Sequence, residues 1–258
     1  MIEVRDLSFS YGSKEVLKGI SFDARPGELL CVLGQNGAGK STLFKCMLGL
    51  LKAESGSVSI DGRNIAEMSA NERAQRVAYI PQAARPVFSY SVIDMVLMGM
   101  TSRFSGRMNP RAADRIEAMK VLERIGASDL ADRDYTKLSG GEQQLVLIAR
   151  AMAQGAMVLI MDEPTSSLDY GNQMKVQKQL RELIKEGYTI IQSSHNPEQT
   201  FLFADRVICI RDGKIFRTGR PADIMDEVLI RDLYGIDVEM IKDGSDRARF
   251  FLIKDEDE

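Results

Sequence analysis

Apolar and polar residues alternate with a period of two at the start of the chain. Ile2 and Val4, then Leu7, Phe9 and Tyr11, then Val16 through Phe22 keep that spacing, which is the signature of half-buried strands. Pro26-Gly27 marks a turn before a further strand over 28–33. Residues 34–42 interrupt the pattern, and a helix-like run continues to Leu51. Residues 57–60 with Asp61-Gly62 read as one arm of a hairpin, and 76–80 as another strand. The middle changes character, with helical patterns over 91–100 and 110–125. In the second, Asn109 suits an N-cap, Pro110 suits the first turn, Ile116, Met119, Leu122 and Ile125 form one stripe, and Gly126 ends the helix. A third helix is expected over 139–154. Alternation then returns: strand 157–161, helix 174–185, strand 188–193, helix 197–204. Segments 206–210 and 214–218 flank Asp212-Gly213, and segments 238–241 and 250–253 flank Asp243-Gly244-Ser245, giving two more hairpins.

Strands alternating with helices predict an α/β fold, a mostly parallel sheet with helices on both faces. An antiparallel β layer at the N-terminus and a helical insertion complete the expected architecture. The nucleotide-core segments are placed at 1–84 and 151–240, the helical subdomain at 85–150, and a terminal hairpin with an acidic tail, Asp255 to Glu258, at 241–258.

Composition narrows the function classes. The 258 residues carry 34 Lys+Arg against 37 Asp+Glu, a net charge of −3, so the chain lacks the basic footprint of a nucleic-acid binder. No uncharged stretch exceeds 11 residues, whereas a spanning helix needs about 20. The first residues contain no apolar signal core, so a cytoplasmic protein is expected. Cys31, Cys46 and Cys209 are odd in number and set in apolar runs, as reduced core thiols would be.

The chemistry begins at Gly34-x4-Gly39-Lys40-Ser41, between a strand and a helix. Glycines there let successive backbone N–H groups turn inward around phosphate oxygens, and the helix adds its positive dipole end. Asn36, Gly37, Ala38 and Thr42 belong to the same cradle. Lys40 would reach the β- and γ-phosphates, and the Ser41 hydroxyl would hold Mg²⁺. Downstream, the apolar run 158–161 ends in Asp162-Glu163-Pro164, and acids at a strand's carboxyl end lie where ligands bind in open α/β sheets. Asp162 can bind Mg²⁺, directly or through water, and Glu163 can orient and deprotonate an attacking water.

Leu138-Ser139-Gly140-Gly141-Glu142 resembles the signature motif of ATP-binding-cassette (ABC) ATPases. With the phosphate loop, Gln82, Ser166-Ser167-Leu168-Asp169 and His195, the resemblance spans nearly the whole chain. It implies the phosphate-loop NTPase fold, ATP and Mg²⁺ as cofactors, and a head-to-tail homodimer in which one subunit's phosphate loop and the other's Ser139, Gly140 and Gly141 share a nucleotide. It also implies that Tyr11 stacks on adenine, that Gln82 contacts Mg²⁺ and the water, that His195 hydrogen-bonds the γ-phosphate, and that Asp169 crosses the dimer seam. Plainer readings stand beside these: a core tyrosine for Tyr11, and ordinary N-caps for Ser139 and Asp169. Gln143, Leu145 and Asn196 depart from residues common in the family.

Within the family, 94–99 and 145–150 are similar to the importer group for iron–siderophore, haem or cobalamin. That likeness implies two separate permease chains, an extracytoplasmic substrate-binding protein acting through them, and peripheral attachment at the cytoplasmic face of the cell membrane. Residues 86–90 and the helix over 92–100, rich in apolar and aromatic side chains, would be the permease-docking surface; burial inside the insertion is the competing reading. Alternatives are an importer of molybdate or another oxyanion, a soluble ATPase of an iron–sulfur assembly complex, and an inactive regulator.

Overall fold

The computed structural model describes residues 1–82, 88–104, 109–242 and 249–253. In chain order the elements are β1 (Ile2–Tyr11), β2 (Lys14–Ala24), β3 (Leu29–Leu33), α1 (Lys40–Met47), β4 (Ser55–Ile60), β5 (Arg63–Asn64), α2 (Ala70–Ala74), β6 (Val77–Ile80) and α3 (Val92–Gly99). There follow α4 (Ala112–Arg124), α5 (Gly140–Ala153), β7 (Val158–Met161), α6 (Tyr170–Lys185), β8 (Thr189–Ser194), α7 (Pro197–Phe203), β9 (Arg206–Arg211), β10 (Lys214–Gly219), α8 (Pro221–Ile224), α9 (Glu227–Tyr234), β11 (Val238–Lys242) and β12 (Arg249–Ile253).

They form two compact units. The first comprises residues 1–66 and 191–258, the second 67–190. In the first unit, an antiparallel layer runs in the order β2-β1-β4-β5, and β10-β9-β3-β8 lie side by side with β3 and β9 parallel. All five residues of β3 are buried, as a strand covered on both faces requires. Both expected Asp-Gly turns form: Asp61-Gly62 (φ 50° and 77°) and Asp212-Gly213 (φ 51° and 77°) have the paired positive φ of tight hairpins. Arg206 closes this unit with a two-pronged pair to Glu28 (2.8 and 3.0 Å) and bonds to Asp23. The terminal hairpin is also present, β11 pairing antiparallel with β12. Its expected turn at 243–245 and the acidic tail lie outside the described residues.

In the second unit β6 and β7 are parallel, Val77 opposite Val158 through Ile80 opposite Met161, and α5 packs against α3, α4 and α6. The contacts group β6, β7 and α6 with the helices in this unit. α5 ties them together: its buried residues include Gln144, Val146, Leu147, Ile148 and Met152, and it contacts β6 as well as α3, α4 and α6.

Three helix expectations are corrected. α1 ends at Met47 rather than Leu51, because Gly49 turns left-handed (φ 66°) and leaves Leu50 exposed. α4 starts at Ala112, two residues after the expected first turn, because the Asp114 carboxylate reaches back to accept the Arg111 N–H at 2.6 Å. Its buried stripe is Ala118, Val121, Leu122 and Ile125, while Ile116 is exposed. α3 is largely core: Val92, Ile93, Met95, Val96 and Leu97 are buried. The burial reading therefore holds for that helix. Phe88 remains strongly exposed, and Pro86 and Val87 lie outside the described residues.

Candidate functional site

In the first unit, β3 feeds directly into the loop from Gly34 to Gly39. Gly39 sits at φ 102° with Val16 and Leu17 close by, at 3.1–3.3 Å from where a Cβ would stand, a conformation that side chains rarely adopt. The Lys40 ammonium is buried and donates to the Gly34 carbonyl (2.7 Å) and the Gln35 carbonyl (3.1 Å), so its charge is held within the loop. Asn36, Gly37 and Ser41 are exposed, and Ala38 and Thr42 are half-buried. No side chain caps α1 and no acid lies in its first turn, so no residue of the helix's own first turn offsets the positive end of its dipole. This is a ready anion cradle.

Two further candidate residues lie in this unit. Tyr11 is 50% exposed and meets Phe9 edge-to-face at 4.8 Å, which leaves its ring available for stacking. His195 is exposed just past the end of β8. Asn196, one of the family departures, is the N-cap of α7 and accepts the Gln199 N–H at 3.0 Å.

The second unit gathers the acids. Asp162 is buried at the end of β7, and its N–H donates to the Ile80 carbonyl at 2.9 Å. The Tyr79 hydroxyl bonds its carboxylate. Burial first, then the Asp162 charge, push the Tyr79 phenol up to about 12, so this tyrosine stays a neutral donor. Glu163 adopts a left-handed φ of 46°, a strained backbone of the kind kept at functional sites. The Gln82 amide donates to the Glu163 carboxylate (3.2 Å) and to the Ser166 hydroxyl (3.3 Å), and Ser166 donates to the Glu163 carbonyl. Sequence reasoning missed Tyr79 and the link from Ser166 to Glu163. The available signals were Tyr79's place on the strand before Gln82 and Ser166's place three residues after Glu163.

Ser139 caps α5 in a reciprocal box. Its N–H and hydroxyl donate to the Glu142 carboxylate (2.8 and 2.7 Å) while its hydroxyl accepts the Glu142 N–H. Those bonds hold the Glu142 carboxyl below its ordinary range. The plain capping reading is thus realised, with Ser139 still exposed. Asp169 likewise caps α6, accepting from the Asn172 backbone (2.9 Å) and side chain (2.6 Å), which lowers its carboxyl pKa. The two caps are neighbours through their helices: a Cβ on Gly141 would lie 2.5 Å from Asn172, and one on Gly140 would lie 3.1 Å from Leu168. The departure Gln143 ties α5 back to the carbonyls of Tyr135 and Leu138.

A family model for the ABC transporter matches residues 17–166. The chain belongs to the ABC transporter family. As a cassette ATPase it binds and hydrolyses ATP, through the phosphate-loop NTPase fold described above. It is 39% identical over 242 residues to the hemin import ATP-binding protein HmuV of Deinococcus radiodurans, covering 92% of this chain and 91% of the relative. It is 35% identical to a Helicobacter pylori protein ascribed to iron chelatin transport as its ATP-binding component, covering 93% and 95%. Among solved structures, an inward-facing ABC transporter ascribed to the metal-chelate type matches with a TM-score of 0.86 and 30% identity, over 99% of this chain and 98% of that one.

The donor chemistry of the cassette suits magnesium. Ser41 on the first unit, and Asp162 and Gln82 on the second, offer hard oxygen atoms. No cluster of three or more His, Cys, Asp or Glu exists among the described residues to form a cage for a different metal. Magnesium takes few protein oxygens and shares the rest of its shell with phosphates and water. The three cysteines are free and buried. Burial pushes Cys31 and Cys209 up to about 12 and Cys46 up to about 11, which makes them inert core thiols. Among the described residues no helix is long and apolar enough to cross a membrane.

Proposed function

We propose that this ABC ATPase powers uptake of a metal chelate, such as iron–siderophore, haem or cobalamin, through two separate permease chains, with an extracytoplasmic substrate-binding protein delivering the cargo. The observation that carries this reading is likeness along almost the full length, at 35–39% identity, to relatives named for hemin and iron chelatin transport. The chain works as a head-to-tail homodimer attached peripherally to the cytoplasmic face of the cell membrane.

In this reading Tyr11 stacks on adenine and residues Gly34, Asn36–Thr42 wrap the phosphates. Lys40 turns its ammonium from the Gly34 and Gln35 carbonyls to the β- and γ-phosphates, for which a charge-assisted bond is the stronger partner. Ser41, Asp162 and Gln82 would hold Mg²⁺, which when bound neutralises developing charge on the phosphates. Glu163 accepts the proton of the attacking water, oriented by Gln82, and His195 donates to the γ-phosphate. Ser139, Gly140 and Gly141 of the second copy close over the same phosphate, and Asp169 meets the seam. The strong exposure of Phe88 supports a docking role for that residue.

The test is purification of a tagged Glu163→Gln variant from detergent-solubilised membranes with ATP present. Co-purification of a polytopic membrane protein, lost on Phe88→Ser, supports the importer. Exclusively soluble partners from intact membranes would move the assignment to an assembly-complex ATPase.

A further inference from the structure

The last element of the first unit's core, α9, takes no part in the chemistry above, yet it is built against it. Its buried residues Leu229 and Leu233 share one apolar cluster with Leu33, which immediately precedes Gly34, and with Phe201 of α7; the Tyr234 ring packs on the same cluster. The helix is held firmly. Asp226 caps it at the Leu229 N–H (2.7 Å) and pairs with Arg217 (2.9 and 3.0 Å), and Glu227 accepts the Met240 N–H of β11 (2.8 Å). Gly235 closes its end with a left-handed φ of 73°. From this fixed helix the Tyr234 hydroxyl donates to the backbone carbonyl of His195 at 3.1 Å, across 39 residues of sequence.

We propose that Tyr234 is a positioning residue for hydrolysis, and that through it the C-terminal helix sets where His195 stands. This rests on the reading of His195 as the γ-phosphate donor. His195 lies between the end of β8 and the N-cap Asn196. Fixing its carbonyl fixes the peptide plane, and with it the direction in which the Cα–Cβ bond launches the imidazole. A displacement of about 1 Å in such a group is enough to cost rate. Tyr234→Phe removes the hydroxyl and keeps the ring in its cluster, so packing around Leu33 and the phosphate loop is preserved.

The expected result for full-length Tyr234→Phe is a fall in kcat for Mg·ATP of about three- to tenfold, the span of one neutral hydrogen bond, with KM unchanged within about twofold. His195 is the single histidine of the chain. In protein purified on a tag without histidine, its Cε1–H proton resonance is therefore a unique reporter. Tyr234→Phe should shift or broaden it and alter its response to Mg·ADP, at unchanged thermal stability. In a His195→Ala background, Tyr234→Phe should cause no further loss. Unchanged kcat with an unchanged His195 resonance overturns the proposal, as does the same fractional loss in both backgrounds. A His195→Ala variant that hydrolyses ATP at the parent rate refutes the underlying γ-phosphate reading instead, and the resonance of Tyr234→Phe still reports whether the anchor exists.

Discussion

Gly99→Ala pits two opposed effects against each other inside the second unit. Gly99 has ordinary helical dihedrals, φ −62° and ψ −30°, so by helix propensity alone alanine should stabilise by about 0.5–1 kcal/mol. The added Cβ, however, would stand 2.1 Å from the Arg150 carbonyl oxygen and 3.0 Å from its carbon. Ordinary contact begins near 3.4 Å, so α3 and α5 must part by more than an ångström. Their seam is closely packed, with Val96, Ile148 and Ala149 fully buried, and a backbone carbonyl on an interior helix cannot swing aside. Overpacking of this kind costs about 1–3 kcal/mol, so the clash should win by about 1–2 kcal/mol. For a chain of this size that corresponds to a melting point lowered by about 2–8 °C. Circular dichroism through a thermal ramp and a urea titration measures it, with the urea slope expected to be unchanged. A melting point equal to or above the parent's would show that the seam opens freely and that close approach is not why glycine sits there.

Lys40→Ala should abolish nucleotide binding measured by equilibrium dialysis, and undiminished affinity would refute the phosphate-loop role. Glu163→Gln should bind ATP normally while turnover falls by about 10²–10⁴ and the closed dimer persists on a sizing column; turnover at the parent rate sinks the base assignment. Ser139→Arg should block hydrolysis with ATP binding to the monomer intact, and an active variant contradicts a nucleotide shared between copies. Arg206→Ala should destabilise by about 3 kcal/mol, because it strands the buried Glu28 carboxylate. Partial burial raises the Asp23 carboxyl, but the Arg206 guanidinium, helped by Arg25, pulls it below 3.8 overall. Its contribution is therefore complete above the unfolded value near 4 and lost as pH falls through the lower folded one. The gap between parent and variant should narrow below about pH 4; a constant gap would show that Asp23 takes no part.

Much of the site was legible because its chemistry is local. A strand, a glycine loop and a helix follow one another at residues 29–47, and the turn chemistry of Asp61-Gly62 and Asp212-Gly213 is written in adjacent residues. What could not be read depends on partners far along the chain. The Gln82 bonds to Glu163 and Ser166 span more than 80 residues, and the burial of α3 is decided by α5 rather than by its own apolar pattern. Ile116 shows the same limit: it keeps helical spacing with Met119, yet the packed face is rotated toward Ala118 and Val121. At α4 a single carboxylate, Asp114, outweighed the preference of Pro110 for a first turn. At Ser139 and Asp169 the capping bonds and the expected functional exposure coexist, so the two readings of those residues were never exclusive.

The seating of Gly141 on Asn172 and of Gly140 on Leu168 means that Ser139 and Asp169 ride on one stiff mount and cannot be offered separately. A molecule small enough to reach Ser139 alone gains nothing from the second prong. A broad partner must match both in spacing and angle or match neither. In the proposed dimer, discrimination at this face would therefore be a matter of gauge, the distance between two fixed points, more than of attraction at either one. Substitutions that widen it, such as a larger side chain at residue 141, should spoil recognition while leaving each prong chemically intact.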